Sequence, residues 1–187
     1  DLLIMCITDE PLPPIMNSLP SHTLPKTTPS WRSTVCIYRD KYCASYQGEI
    51  EPFPEKATLL SFIPFMQKKI NIKNYLIFLN LESKPNSRKG SLKFSTVRKP
   101  ELIIKDTEIK SNSCNFIDLN SLNIEDDELL VCYSKSMSGI PLFLSFSNVD
   151  STMSLEHTHP PASFLIHGNR NNLQRIIKEN WYNSLPL

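Results

Sequence analysis

Two histidines one residue apart, His157 and His159, are the residues best suited to chemistry in this sequence. Because side chains alternate along a strand, both imidazoles would lie on the same face of a strand that runs through them. A turn at the prolines 160–161 would fold the next predicted strand back and bring His167 close to the pair. Three imidazole nitrogens with one open position are typical of catalytic zinc sites. The trio is therefore a candidate for a metal-binding module or a metal-assisted enzyme.

The same histidines also fit a plain structural interpretation, and that is the one we favour. His157 and His159 would lie at a strand end beside two prolines, where water hydrates them. A register slip of one residue would send His167 to the opposite face of the sheet. We therefore expect no metal and no other cofactor.

Composition excludes most other catalytic machinery. The chain has only four glycines among its 187 residues. They stand too far apart for a phosphate-binding loop, a dinucleotide fingerprint or a nucleophile elbow. The acidic run at 125–128 offers neither alternate oxygen ligands nor the glycine of a calcium loop. The sequence thus predicts a protein that is not an enzyme.

Five cysteines are an odd number, and their spacings match no zinc pattern. Free thiols in a reducing compartment fit best, although Cys36 and Cys43 could pair across a hairpin in a secreted protein. Asp1 opens the chain without a Met or a signal peptide, which indicates a fragment. No apolar run is long enough to span a bilayer. We therefore expect an intracellular protein, cytoplasmic or nuclear, with no membrane span.

A segment from Ser83 to Pro100 carries six cations and no acidic residue, in a chain whose formal net charge is only +1. Such segregation creates a local field that the overall composition hides. We predict that these cations lie on one basic hairpin, 84–99, and bind an acidic partner protein. The predicted partner-binding residues are Lys84, Arg88, Lys89, Lys93, Arg98 and Lys99.

Two other interpretations of this hairpin stay open. Its cations would contact nucleic acid or anionic lipid through phosphates, with binding that falls steeply as salt rises. Alternatively, the acidic run at 125–128 would neutralise it, which is the plainest interpretation. Phe94 is the only aromatic residue among the cations, so the base stacking of single-strand binders is not favoured. Docking on an acidic protein is the functional interpretation that we carry forward, because charge there sets orientation and association rate.

The elements that must position these residues are mostly β. Stretches 34–38 and 42–46 alternate around a tight polar turn and predict a hairpin. Further short strands with turn signals between them continue to residue 166, in the pattern of an antiparallel sandwich. Pro52 and Pro54 before an acidic first turn favour a short helix near 55–63.

Near the end of the chain the hydrophobic period changes. Apolar residues at i, i+3, i+4 and i+8 predict a C-terminal helix near 171–182. The proline-rich stretch 10–30 favours an extended surface connector. We therefore predict one α+β, predominantly β domain over residues 1–187, with an antiparallel, sandwich-like core. Its expected role is a non-enzymatic interaction or scaffold subunit of an intracellular complex.

Overall fold

The protein is built from antiparallel β-strands. The computed structural model describes residues 32–39, 42–49, 53–55, 57–63, 71–82, 84, 86–125, 128–150, 152–158, 180 and 182–186. The strands in these ranges are β1 (Arg32–Arg39), β2 (Tyr42–Glu49), β3 (Leu59–Ile63), β4 (Ile72–Asn80), β5 (Lys89–Thr96), β6 (Lys105–Lys110), β7 (Ser113–Asp118), β8 (Leu130–Ser134), β9 (Ile140–Ser147) and β10 (Met153–His157). All pairs of these strands are antiparallel, so the predicted predominantly β fold is confirmed.

Two four-stranded sheets pack face to face. The first sheet has the order β10-β9-β4-β7, and the second has the order β3-β8-β5-β6. Leu76 and Phe78 of β4 and Leu92 and Phe94 of β5 are fully buried and belong to one core between the sheets. Because side chains alternate along each strand, the neighbouring residues of β5 point away from this core. The predicted sandwich-like core is therefore confirmed.

The β1–β2 hairpin forms a third layer. Val35 of this hairpin packs with Ile77 and Leu142, which lie on the face of the first sheet that points away from the central core. The central core and this second hydrophobic cluster together bury β4 on both faces, which explains its continuous apolar stretch. The predicted hairpin at 34–38 and 42–46 is confirmed, and its register runs from Arg32 opposite Glu49 to Arg39 opposite Tyr42.

The predicted helix near 55–63 is wrong, because this region ends in strand β3. Ala57 donates its backbone N–H to the carbonyl of Pro54, which closes a turn before the strand. Alternate residues of β3 are buried, and the others are half-buried. Because both faces of β3 are at least partly covered, apolar residues occupy successive positions such as Leu59 and Leu60, and this hides the strand alternation.

The predicted basic hairpin 84–99 is also wrong. Strand β4 pairs with β9 on one edge and β7 on the other, so it has no edge available for β5. The chain therefore crosses from the first sheet to the second between residues 80 and 89. The cations lie on this crossover, along β5 and in the turn after it, so they extend over the length of the sandwich.

Part of the predicted C-terminal helix can be placed. Asn180 and residues 182–184 are helical, and the remainder of 171–182 lies outside the described residues. Tyr182 donates its hydroxyl to the carbonyl oxygen of Ser134 at 3.1 Å, which holds this end of the chain against the second sheet. The proline-rich stretch 10–30 lies outside the described residues.

Candidate functional site

One of the six predicted cations, Arg88, is paired with a buried carboxylate. Its Nε donates to both carboxylate oxygens of Glu82, at 2.9 and 3.1 Å, and its Nη2 donates to Oε1 at 2.5 Å. The side chain of Glu82 is only 2% exposed. A carboxylate at this depth needs a fixed counter-charge, because removal of one partner leaves an uncompensated buried charge. Arg88 is therefore a structural residue.

The backbone around this pair is held by Asn112, at the corner between β6 and β7. Asn112 has a φ of 51°, which asparagine tolerates better than most residues. Its Oδ1 accepts from the backbone N–H of Glu82 at 2.7 Å, and its Nδ2 donates to the carbonyl of Lys84 at 2.6 Å. Its own N–H donates to Oδ1 of Asn80 at 3.0 Å. The crossover that carries Lys84 is thus bound directly to the β6–β7 corner.

Ser111 completes the same cluster. Its hydroxyl accepts from the N–H of Arg88, and its own N–H donates to the carbonyl of Arg88, both at 2.9 Å. We call Asn80, Glu82, Arg88, Ser111 and Asn112 the polar node. Because hydrogen bonds anchor both ends of the crossover, the node fixes where β5 begins.

Three other predicted cations form exposed ion pairs within the chain. Lys84 lies 2.9 Å from Glu55, and Lys89 lies 3.0 Å from Glu108. The hydrogen bond to Glu55 raises the pKa of Lys84. Pairs of this kind contribute little to stability, since water screens both charges.

The acidic run at 125–128 contributes the third pair. Glu125 lies 3.6 Å from the Nη1 of Arg98, and both side chains are more than half exposed. The prediction that this run faces the basic segment is therefore supported at one contact. The carboxylates of this pair and of the two preceding pairs are all open to exchange with a partner.

Cations from neighbouring strands join the outer face of the second sheet. Lys110 of β6 lies directly opposite Lys89 in the strand register, and both side chains are exposed. Lys135 follows β8, and it donates to the carbonyl of Tyr182 at 2.8 Å. Burial lowers the pKa of Lys135, and the charge of nearby Lys93 lowers it further.

The lysines on the outer face of the second sheet, together with the exposed cations on the crossover and in the turn after β5, form a surface that we call the basic stripe. Its members are Lys84, Lys89, Lys93, Arg98, Lys99, Lys110 and Lys135. Sequence reasoning missed Lys110 and Lys135, which lie outside the acid-free segment. Only the cross-strand register places them beside Lys89 and Lys93.

Two carboxylates lie among the lysines of the basic stripe. Asp106 lies opposite Lys93 across β5 and β6 and accepts a hydrogen bond from Ser91. Glu108 of the same strand pairs with Lys89. Four lysines, on β5, on β6 and after β8, therefore share this face with two carboxylates.

The histidine trio is placed only in part. His157 is half-buried on β10, and its Nδ1 lies 3.1 Å from the hydroxyl of Tyr46, with the two rings edge to face. This contact joins the β1–β2 hairpin to the first sheet. His159 and His167 lie outside the described residues, and no group of three or more His, Cys, Asp or Glu side chains within the described ranges could hold a metal ion. The three-histidine metal site therefore stays an alternative to our expectation of no metal.

Comparison of the chain with protein-family models, with curated proteins and with solved structures finds no match. Among the residues that the structure describes, no helix combines the length and apolar character needed to cross a membrane. Any function must therefore be argued from the surface itself.

Proposed function

We propose that the protein is a non-enzymatic interaction subunit of an intracellular complex, which docks an acidic protein surface on the basic stripe. Arg88 is excluded from this role, because its charge is committed to Glu82. The remaining cations form the docking set. The proposal rests on the arrangement of charges along the second sheet.

The observation that carries the proposal is a pair of unfavourable contacts between like charges. Lys89 and Lys110 are directly opposite one another, and Lys93 lies close enough to lower the pKa of Lys135. Like charges directly opposite each other destabilise a sheet. Local arrangements that cost stability are expected at functional surfaces. An acidic partner placed over these lysines removes the repulsion.

The second argument is that the backbone carrying Lys84 and Lys89 is held in place by hydrogen bonds. Lys84 and Lys89 flank a crossover whose backbone is bonded to Asn112 and Ser111 of the polar node. A surface that is already ordered loses little conformational entropy when a partner binds. The eight residues of β5 span roughly 26 Å at ~3.3 Å per residue, the width of a standard protein interface.

The carboxylates on the stripe favour a protein partner over a nucleic acid. Asp106 and Glu108 lie between the lysines of β5 and β6. They oppose a continuous phosphate backbone, whereas an acidic protein surface can place its own cations beside them.

Affinity purification of the full-length protein with quantitative mass spectrometry tests this proposal. The test variant combines Lys89→Gln, Lys93→Gln and Lys110→Gln, and we call it the neutralised stripe. Lys73→Gln on β4 of the first sheet is the matched control. We expect proteins with acidic surfaces to be lost from the neutralised stripe and kept by the control.

Two outcomes would contradict the proposal. Equal recovery of the same proteins from both variants would remove the stripe from any docking role. Salt-sensitive retention of the unsubstituted protein on single-stranded DNA or anionic vesicles, lost in the neutralised stripe, would favour the phosphate-binding alternative instead.

A further inference from the structure

The two faces of the β1–β2 hairpin differ in chemistry. One face packs on the first sheet through Val35, with Ile37 and Tyr46 beside it. Because side chains alternate, the other face presents Cys36 and Cys43. Both of these cysteines are free and exposed. None of these residues belongs to the basic stripe, so a role for the two thiols is independent of the proposed docking role.

The strand register places the two thiols diagonally across the hairpin. Cys36 lies opposite Ser45, and Tyr38 lies opposite Cys43. Diagonal neighbours have Cα atoms roughly 7–8 Å apart, and their Cβ atoms are closer. A two-stranded ribbon also twists more strongly than a larger sheet. The two side chains therefore stand on the same face within reach of a small backbone adjustment.

Tyr38 lies next to both thiols on the exposed face of the hairpin. Its pKa is raised, first by a hydrogen bond to Cys36 and by the charge of that thiol, and then by Cys43. In the strand register Tyr38 lies directly opposite Cys43 and two residues along the same strand from Cys36, so all three side chains share one face of the hairpin. The thiols are not separate surface groups but members of one cluster.

We infer that Cys36 and Cys43 form a reversible disulfide within the hairpin when the protein meets a small-molecule disulfide such as oxidised glutathione. The thiolate of one cysteine attacks a sulfur of the oxidant and releases one glutathione thiolate. The second cysteine thiolate then attacks the protein-bound sulfur, forms the Cys36–Cys43 bond and releases the second glutathione. The two thiol protons pass to glutathione or solvent, and the oxidant is reduced to two thiols.

The spacing of the two cysteines also determines how readily this disulfide is reduced. A relaxed disulfide needs Cα atoms about 4.4–6.8 Å apart, which is shorter than the usual diagonal spacing. The strands must therefore close up when the bond forms. Strained, exposed disulfides are readily reduced, so this one forms under oxidation and opens again in a reducing compartment.

Intact-mass measurement and peptide mapping after treatment of the full chain with oxidised glutathione test the inference. The background carries Cys6→Ser, so that the cysteine outside the described residues cannot take part. We expect a product that has lost two hydrogen atoms and contains a Cys36–Cys43 linked peptide, which dithiothreitol reverses. Cys114 is exposed on β7 opposite Leu79, and it should carry only a glutathione adduct.

Single variants give the matched controls. With Cys36→Ser, a stable glutathione adduct should remain on Cys43, and the reverse should hold for Cys43→Ser. Circular dichroism establishes that each variant is folded. The inference is overturned if both cysteines of the unsubstituted hairpin keep separate adducts, if either links to another cysteine, or if neither reacts.

Discussion

The polar node and the basic stripe share a stretch of sequence but differ in how their charges are solvated. Arg88 neutralises a carboxylate that is 2% exposed, whereas Lys89, its immediate neighbour, neutralises one that is 54% exposed. The first pair cannot be opened without leaving a buried charge. The Lys89–Glu108 pair can open and let Lys89 bind another carboxylate at little cost, because water solvates both groups.

This contrast shows that the burial of the carboxylate, and not the type of cation, determines whether a basic residue here is structural or open to a partner. Two adjacent cations in one run serve different purposes because one side chain turns into the crossover and the other turns out from β5. The polar node fixes the position of the surface, and the basic stripe provides its charge. A substitution of a lysine in the basic stripe should therefore leave the polar node intact, whereas a substitution in the node should cost stability first.

Loss of the Arg88 charge should have the largest effect. Arg88→Met leaves Glu82 buried without a cation, and we expect it to lower the free energy of unfolding by about 3 kcal/mol. Lys89→Met, the matched control, should change stability by less than about 0.5 kcal/mol. Urea unfolding followed by circular dichroism measures both. Equal effects of the two substitutions would abolish the distinction between node and stripe.

The buried thiol of Cys132 should make the stability of the protein depend on pH. Burial raises the pKa of Cys132 to about 12. The unfolded chain therefore releases this proton first, near pH 8.5, so stability falls as pH rises from there toward 12, by up to ~1.4 kcal/mol per pH unit. Cys132→Ala should remove this part of the slope while adding a constant loss from the cavity. Parallel slopes for the two proteins between pH 9 and 11 would show that the thiol is not buried as described.

Two substitutions of Asn112 distinguish the contribution of its side-chain hydrogen bonds from that of its backbone conformation. Asn112→Ala loses the hydrogen bonds to Glu82 and Lys84 and puts a residue that tolerates positive φ less well than asparagine at a φ of 51°, so we expect a loss of about 2 kcal/mol. Asn112→Gly loses the same hydrogen bonds without the backbone strain, and it should cost about 1 kcal/mol. Thermal unfolding of both variants measures the difference. If glycine is as harmful as alanine, backbone conformation is not part of the role of Asn112.

The smallest expected change has the opposite sign. Lys110→Gln removes the repulsion with Lys89, and we expect it to stabilise the isolated protein by about 0.3 kcal/mol at low salt. The gain should disappear at high ionic strength, where the two charges are screened. Differential unfolding at two salt concentrations, with Lys73→Gln as control, provides the measurement. A loss of stability in Lys110→Gln would mean that the stripe is not under electrostatic strain.

The strands could be predicted from sequence because their signals are local. The alternation around the turn between Tyr38 and Tyr42 is sufficient for the β1–β2 hairpin. The helix near 55–63 was wrong because Leu60 and Phe62 are half-buried as well, which hides the strand period of β3. The prolines and the acidic first turn then favoured a helix that the structure does not contain at 59–63.

The charge arrangement could be predicted only in part, because it depends on which sheet each strand joins. No local feature indicates that β4 already has two neighbours, so the hairpin 84–99 was a reasonable but wrong prediction. Lys110 and Lys135 join the stripe through pairings that a single sequence does not reveal. Glu82 lies just before the acid-free segment, and only its burial identifies Arg88 as structural.

The rate at which an acidic partner associates tests the central claim most directly. The partner recovered by affinity purification is measured against the unsubstituted protein, the neutralised stripe and Lys73→Gln over a range of salt concentrations. We predict that the neutralised stripe associates at least about tenfold more slowly at low salt, that the difference closes as salt rises, and that its unfolding free energy is not lowered. Equal association rates for the neutralised stripe and the Lys73→Gln control at low salt would contradict the claim.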